Sequence, residues 1–131
     1  MKKMVKGPFE IQSSPLPLDE ATKSLGAMRM KFEKQFSGPL EATSLVSMMG
    51  IMNQGLGSGA YVALEKVTGT LEGRRGSFCL QHSSSMNRGR PSQAITVVPD
   101  SGTEELLGLA GEMTIDIIEG KHFYTFTYEM P

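Results

Sequence analysis

Glu65-Lys66-Val67-Thr68-Gly69-Thr70-Leu71-Glu72-Gly73-Arg74-Arg75-Gly76-Ser77-Phe78-Cys79-Leu80-Gln81-His82 is the stretch that decides the fold. Apolar and polar residues alternate on either side of a glycine-containing turn, the pattern of two antiparallel strands with one buried face. A turn at Gly73-Arg74 sets Glu65 opposite His82, Val67 opposite Leu80 and Gly69 opposite Phe78, whose ring can cover the missing side chain. A turn centred on Glu72-Gly73 makes Glu65 and His82 diagonal neighbours instead. The two registers differ by an even number of residues, so in both the pair projects from one face.

Working outward, β-rich segments recur between Gly and Pro signals. They start near Val5 to Gln12, Ala27 to Phe36, Leu40 to Asn53, Gly59 to Leu71, Gly76 to Ser84, Gln93 to Val98, Glu112 to Glu119 and His122 to Glu129. Ser13 to Gly26 reads as a Pro-rich linker with a short helical turn at Asp19 to Ser24. A turn at Gly120-Lys121 pairs Ile117 with Tyr124, Ile115 with Phe126 and Met113 with Tyr128, all on one face. A turn at Gly38-Pro39 places Met28, Met30 and Phe32 with Met49, Ser47 and Leu45 on a second apolar wall. Met28, Met30, Phe32, Ile115, Ile117, Tyr124 and Phe126 are therefore expected to face the interior. The fold class is all-β: residues 1–131 form a single domain, an antiparallel barrel of about eight strands with one short helical turn near Thr103 to Leu107.

With 131 residues the chain can bury one modest core. Thirteen Lys and Arg against fourteen Asp and Glu give a net charge of -1, which sets up no field favouring nucleic acid or an anionic membrane. The N-terminal Met1-Lys2-Lys3-Met4-Val5-Lys6-Gly7-Pro8 has the charges of a secretory n-region, but no apolar run follows it. Cys79 is the one cysteine, so no intramolecular disulfide can form, and no apolar run approaches the roughly twenty residues that span a bilayer. A cytoplasmic location is expected. Ten methionines and no tryptophan suggest an adaptable core able to line a cavity, though ordinary packing is the commoner role of Met.

The candidate chemistry centres on Glu65 and His82. A carboxylate beside an imidazole can orient a polar ligand or act in acid–base work, and a cross-strand pair that merely satisfies two polar groups is the commoner case. Tyr61, Ala63, Val67, Phe78 and Leu80 share the pair's face, so an inward face makes a polar pair in an apolar pocket. Glu65, His82, Tyr61, Val67, Phe78 and Leu80 are the candidate ligand-binding residues.

Other motifs carry less. Gly55-Leu56-Gly57-Ser58-Gly59-Ala60 formally fits a dinucleotide glycine pattern, but the β-rich Tyr61-Val62-Ala63-Leu64 follows where a helix is needed. Leu56 also occupies the position where a nucleophile elbow around Ser58 needs glycine. Asp100 to Gly108 reads as a loop opening one helical turn, with Ser101 or Thr103 as its cap and no Gly-Lys-Ser/Thr ending. Arg74, Arg75, Arg88 and Arg90 decorate turns without interleaved aromatics, a solvated rim rather than a nucleic-acid surface. His82, His122 and Cys79 show no zinc-ligand spacing, so no metal or cofactor is expected. Alternation also puts Cys79 on the strand face opposite His82.

Ala63 to Leu71, Gly76-Ser77-Phe78-Cys79-Leu80-Gln81-His82 and Val97-Val98-Pro99-Asp100-Ser101-Gly102-Thr103-Glu104-Glu105-Leu106, taken together, resemble a bacterial domain-of-unknown-function family. The resemblance runs from about Gly7 to the C-terminus and implies an allene-oxide-cyclase-like β-barrel. It implies no reaction, since fold alone does not carry function. The expected function is the binding of a small, largely apolar molecule in the barrel lumen or mouth. The alternatives are a cyclase or isomerase using Glu65 and His82 as acid and base, and a filled barrel serving as a homo-oligomeric interaction module.

Overall fold

Three tight turns set registers in the barrel, one of them Arg88-Gly89 (φ +49° and +82°). Glu72 and Gly73 (φ +48° and +83°) and Glu119 and Gly120 (φ +52° and +78°) each place two successive residues in the left-handed region. This is the type I′ geometry that matches the twist of a two-residue hairpin, and it puts glycine second. The computed structural model describes residues 2–131; Met1, which opens the candidate n-region, lies outside them. Its strands are β1 (Lys3–Pro15), β2 (Met28–Phe36), β3 (Leu40–Asn53), β4 (Ser58–Leu71), β5 (Arg74–Asn87), β6 (Arg90–Val97), β7 (Ala110–Ile118) and β8 (Lys121–Glu129). They form a closed barrel in sequence order, every neighbour antiparallel, with β8 returning to β1. Closure leaves no strand edge unpaired at the barrel's waist.

The Glu72-Gly73 turn selects the second of the two registers read from the sequence. Glu65 lies opposite Leu80 and Ala63 opposite His82, which makes Glu65 and His82 diagonal neighbours; Val67 meets Phe78, and Gly69 meets Gly76. The last hairpin is corrected in the same way. Its turn is Glu119-Gly120 rather than Gly120-Lys121, so Ile117 pairs with His122, Ile115 with Tyr124 and Met113 with Phe126. A shift of two residues keeps every side chain on its face. The β2–β3 hairpin is a larger correction. Ser37-Gly38-Pro39 forms a three-residue connection, and Met28, Met30 and Phe32 pair with Gly50, Met48 and Val46. An odd connection inverts β3 relative to the two-residue reading, and Leu45, which was expected on the inner wall, is 53% exposed outside.

β1 runs through Pro15, further than the linker boundary read from the sequence. The helical turn that follows is α1 (Glu20–Leu25), capped by the Asp19 carboxylate accepting from Thr22 N at 2.8 Å and ended by Gly26 in the left-handed region. The β3–β4 glycines form a 3-10 turn, Gln54–Leu56, with Gly57 left-handed after it.

One end of the barrel is filled. Phe78 stacks on Phe126 with ring centroids 5.6 Å apart, Tyr128 continues the stack, and Phe36 meets the edge of Tyr124. The Tyr124 hydroxyl accepts from Leu40 N and donates to Ser37 O, tying the β2–β3 connection to β8. The β6–β7 connection closes this end. Its 3-10 turn, Glu104–Leu106, carries Leu106 into the core, and Leu109 follows it there. Ser101 and Thr103 do not cap that turn through their side chains, as the sequence had suggested. The Ser101 hydroxyl accepts from Cys79 N and donates to Val98 O, and the Thr103 hydroxyl accepts from Ser77 N, so both fasten the plug to β5.

The opposite end flares. Met28, at an inward position, is 44% exposed, and Ile117 is 65% exposed; Met30, Phe32 and Ile115 are half-buried, while Tyr124 and Phe126 are fully buried. The pairing of β6 with β7 runs through Ile95–Met113 and Thr96–Glu112, and beyond it the Gln93 side chain accepts from Ile115 N at 3.3 Å. The seam thus loosens towards this mouth.

Candidate functional site

Four polar side chains project inward from four successive strands along one diagonal. Lys34 on β2 and Ser44 on β3 are directly paired; Glu65 on β4 is one inward position higher and His82 on β5 one higher again. The diagonal follows from alternation combined with the stagger that barrel closure imposes. Glu65 is 1% exposed and accepts at both oxygens: Oε1 from Lys34 Nζ at 3.2 Å and from His82 Nε2 at 2.7 Å, Oε2 from Ser44 Oγ at 2.6 Å. The Lys34 ammonium also sits 5.1 Å from the Phe9 ring centroid and 5.8 Å from that of Phe36. Cation–π attraction and the carboxylate together offset its removal from water.

Burial is the largest single influence on the Glu65 carboxyl and pushes its pKa up. The His82 hydrogen bond, the Lys34 charge and the Ser44 hydroxyl outweigh it together and hold the carboxyl below its ordinary 4.5. Glu65 is therefore a carboxylate, and a carboxylate accepts hydrogen bonds without donating any.

Above the diagonal lies a concave mouth of about 390 Å³, walled by Met28, Met48, Tyr61, Ser84, Met86, Pro91 and Gln93 among others. Met28, Gly50, Tyr61, Ser84 and Gln93 belong to one row of paired inward positions, and His82 and Ala63 to the row beneath. Successive rows are roughly 7 Å apart along the strands. The Ser84 hydroxyl is sealed from water and has no hydrogen-bond partner among the described residues.

The sequence-derived candidates divide between the two regions. Glu65 and His82 are in direct contact. Val67, Phe78 and Leu80 share their face but are wholly buried in the filled half, away from the mouth. Tyr61 is half-buried and lines the mouth. Lys34, Ser44 and Ser84 were not among the candidates. Lys34 carried a legible signal, a charge at an inward position in the Met28-Met30-Phe32-Lys34-Phe36 alternation. Cys79 lies on the face opposite His82 with its backbone under the plug loop. Among the described residues, no helix is long and apolar enough to cross a membrane.

The chain belongs to the DUF3224 family of proteins of unknown function, whose family model matches residues 5–128. It is also similar to the crystal structure of a protein of unknown function from the same family, from Shewanella oneidensis MR-1. The two share 41% sequence identity over 100% of this chain and 99% of that one, with a TM-score of 0.91. No curated protein matches it.

Proposed function

We propose that this member of the family binds a small, largely apolar molecule in the mouth of its barrel. One observation carries the reading: an otherwise filled barrel ends in a methionine-walled concavity of about 390 Å³ with an unpartnered Ser84 hydroxyl in its wall. Ligand sites are of this size and character, apolar walls with a few placed polar groups, and methionine adapts its shape to what it covers. Native mass spectrometry of protein purified from its own cell extract should show a retained small molecule. Phenylnaphthylamine, a neutral apolar dye, should brighten on the wild type and not on Ser84→Phe, whose ring occupies the mouth. Bare wild-type protein together with no brightening rejects the proposal.

The cyclase or isomerase alternative draws on the Glu65–His82 pair. Both oxygens of Glu65 are engaged and its pKa is held down, so it is a poor proton donor, and acid–base work would rest on His82. Turnover that survives His82→Ala excludes this alternative.

Self-association has an observation of its own. Leu45 and Ile51 on β3 and Val62 and Leu64 on β4 are each at least half exposed on adjacent outer positions, with Met49 between them. Monomers seldom leave a contiguous apolar patch beyond a few hundred Å² uncovered, and a second copy can lay the same sheet face against it. Light scattering should find an oligomer for the wild type and a monomer for Leu64→Lys; a monomeric wild type removes this reading.

A further inference from the structure

We propose that the flared end of the barrel docks on a phospholipid surface of zwitterionic headgroups, with the tip of the β3–β4 hairpin entering first. In a closed barrel whose neighbours are antiparallel and follow sequence order, the β1–β2, β3–β4, β5–β6 and β7–β8 connections share one end. Each brings an exposed large apolar side chain to that end: Leu25 on α1, Met52 and Leu56 at the β3–β4 tip, Met86 on β5 and Ile118 on β7. At the plug end, Leu107 and Met4 at the start of β1 are the comparable residues among those described. Apolar side chains scattered singly over a surface are ordinary, but a ring of them around one opening marks a place of contact.

Three features select lipid as the occupant. From Ala42 to Leu64 the chain contains no Asp, Glu, Lys or Arg, so the β3–β4 hairpin can sink its tip without taking a charge out of water. The backbone of that tip is also satisfied from within. Gly57 N donates to Gln54 O at 3.2 Å, Gly57 O accepts from Gly89 N at 2.9 Å, and Ser58 Oγ accepts from Arg88 N at 3.0 Å. Acyl chains offer no hydrogen bonds, so a tip that enters them has to bring its own. The same bonds join the β3–β4 and β5–β6 tips into one unit. Finally, the exposed bases Lys23, Arg88, Arg90 and Lys121 flank the apolar tips, and the exposed acids Asp19, Glu20, Asp116 and Glu119 offset them. A belt of both signs matches headgroups that carry both signs, and it creates no pull toward an anionic surface. Met52 and Met86 also belong to the wall of the concavity, so docking in this orientation opens the mouth onto the lipid. The surface stands apart from the mouth-binding reading, because it requires no molecule in the mouth.

The chain has no tryptophan, so a single introduced one reports its own surroundings. With vesicles of dioleoylphosphatidylcholine, the emission of full-length Leu56→Trp should shift to the blue and be quenched by brominated acyl chains. Leu107→Trp, at the plug end, should show neither change. Wild type should float with the vesicles, and Leu56→Glu and Ile118→Glu should each need at least about tenfold more lipid for half binding, with unchanged midpoints in urea. Wild type that stays in the aqueous phase overturns the proposal and leaves the apolar ring to a protein partner. Equal quenching of the two tryptophans overturns it as well. So does binding that requires phosphatidylglycerol and is lost at high salt, since that is attraction between charges. None of these results bears on whether the mouth holds a small molecule.

Discussion

Replacing Lys34 by Met and Glu65 by Leu, singly and together, tests whether the lumen diagonal is a buried ion pair in the energetic sense. The side chains of Lys34 and Glu65 are 4% and 0% exposed, so neither charge has water to fall back on. Lys34→Met leaves the carboxylate with the donors Ser44 and His82 alone; Glu65→Leu leaves an ammonium between Phe9 and Phe36 without a counter-charge. Either change should cost about 3–5 kcal/mol, the range for orphaning one member of a buried pair. The double variant removes both charges and should fall within about 2 kcal/mol of wild type. Urea unfolding at neutral pH supplies the cycle, and the coupling should be about 3 kcal/mol or more. Acid gives an independent check. The Glu65 carboxyl is held below its ordinary 4.5, so the stability it contributes is fully present above that value and is lost as pH falls through the lower folded value. Wild type should therefore weaken more steeply than the double variant below pH 4.5. Single costs that simply add, to within about 0.5 kcal/mol, would refute the argument, since independent sites behave that way.

Three further outcomes are expected. Burial first and the adjacent Glu72 carboxylate second push the Tyr128 hydroxyl up to about 12, so the stability it contributes is present below the ordinary 10.0 and lost as pH rises through about 12; phenolate absorbance should show Glu72→Gln ionising earlier. Gly102→Ala should destabilise the protein by about 1–3 kcal/mol in thermal or urea unfolding, because a Cβ there runs into the Leu106 carbonyl of the plug. Phe126→Ala should cost about 3–5 kcal/mol and Ile117→Ala less than about 0.5 kcal/mol, although both occupy inward positions, because Phe126 is fully buried and Ile117 stands at the rim; equal losses in urea unfolding would place the rim inside the core.

What the sequence made legible follows from what period-two alternation can encode. It records which face a side chain takes, and the faces within the β4–β5 and β7–β8 hairpins survived turns displaced from their first reading because the displacements were even. It failed at β2–β3, where Pro39 belongs to a three-residue connection and an odd count turned β3 over. Depth along the barrel axis is not in the pattern at all. Ile117 and Tyr124 have the same inward parity, yet one stands at the rim and the other in the core. Partnership across non-adjacent strands is missing for the same reason. Lys34 and Glu65 lie 31 residues apart on β2 and β4, and they meet because the stagger of a closed barrel carries each inward position diagonally onto the next strand. The Glu65–His82 half of the site could be read within one hairpin. The Lys34–Ser44 half needed closure, and it depends on the odd connection at Ser37-Gly38-Pro39 that the alternation misread. With a two-residue turn there, Ser44 would face solvent, Glu65 Oε2 would lose its hydroxyl donor, and the balance that keeps Glu65 charged would be weakened. The charged diagonal inside the barrel therefore rests on the length of one loop, which decides which face of β3 it can use.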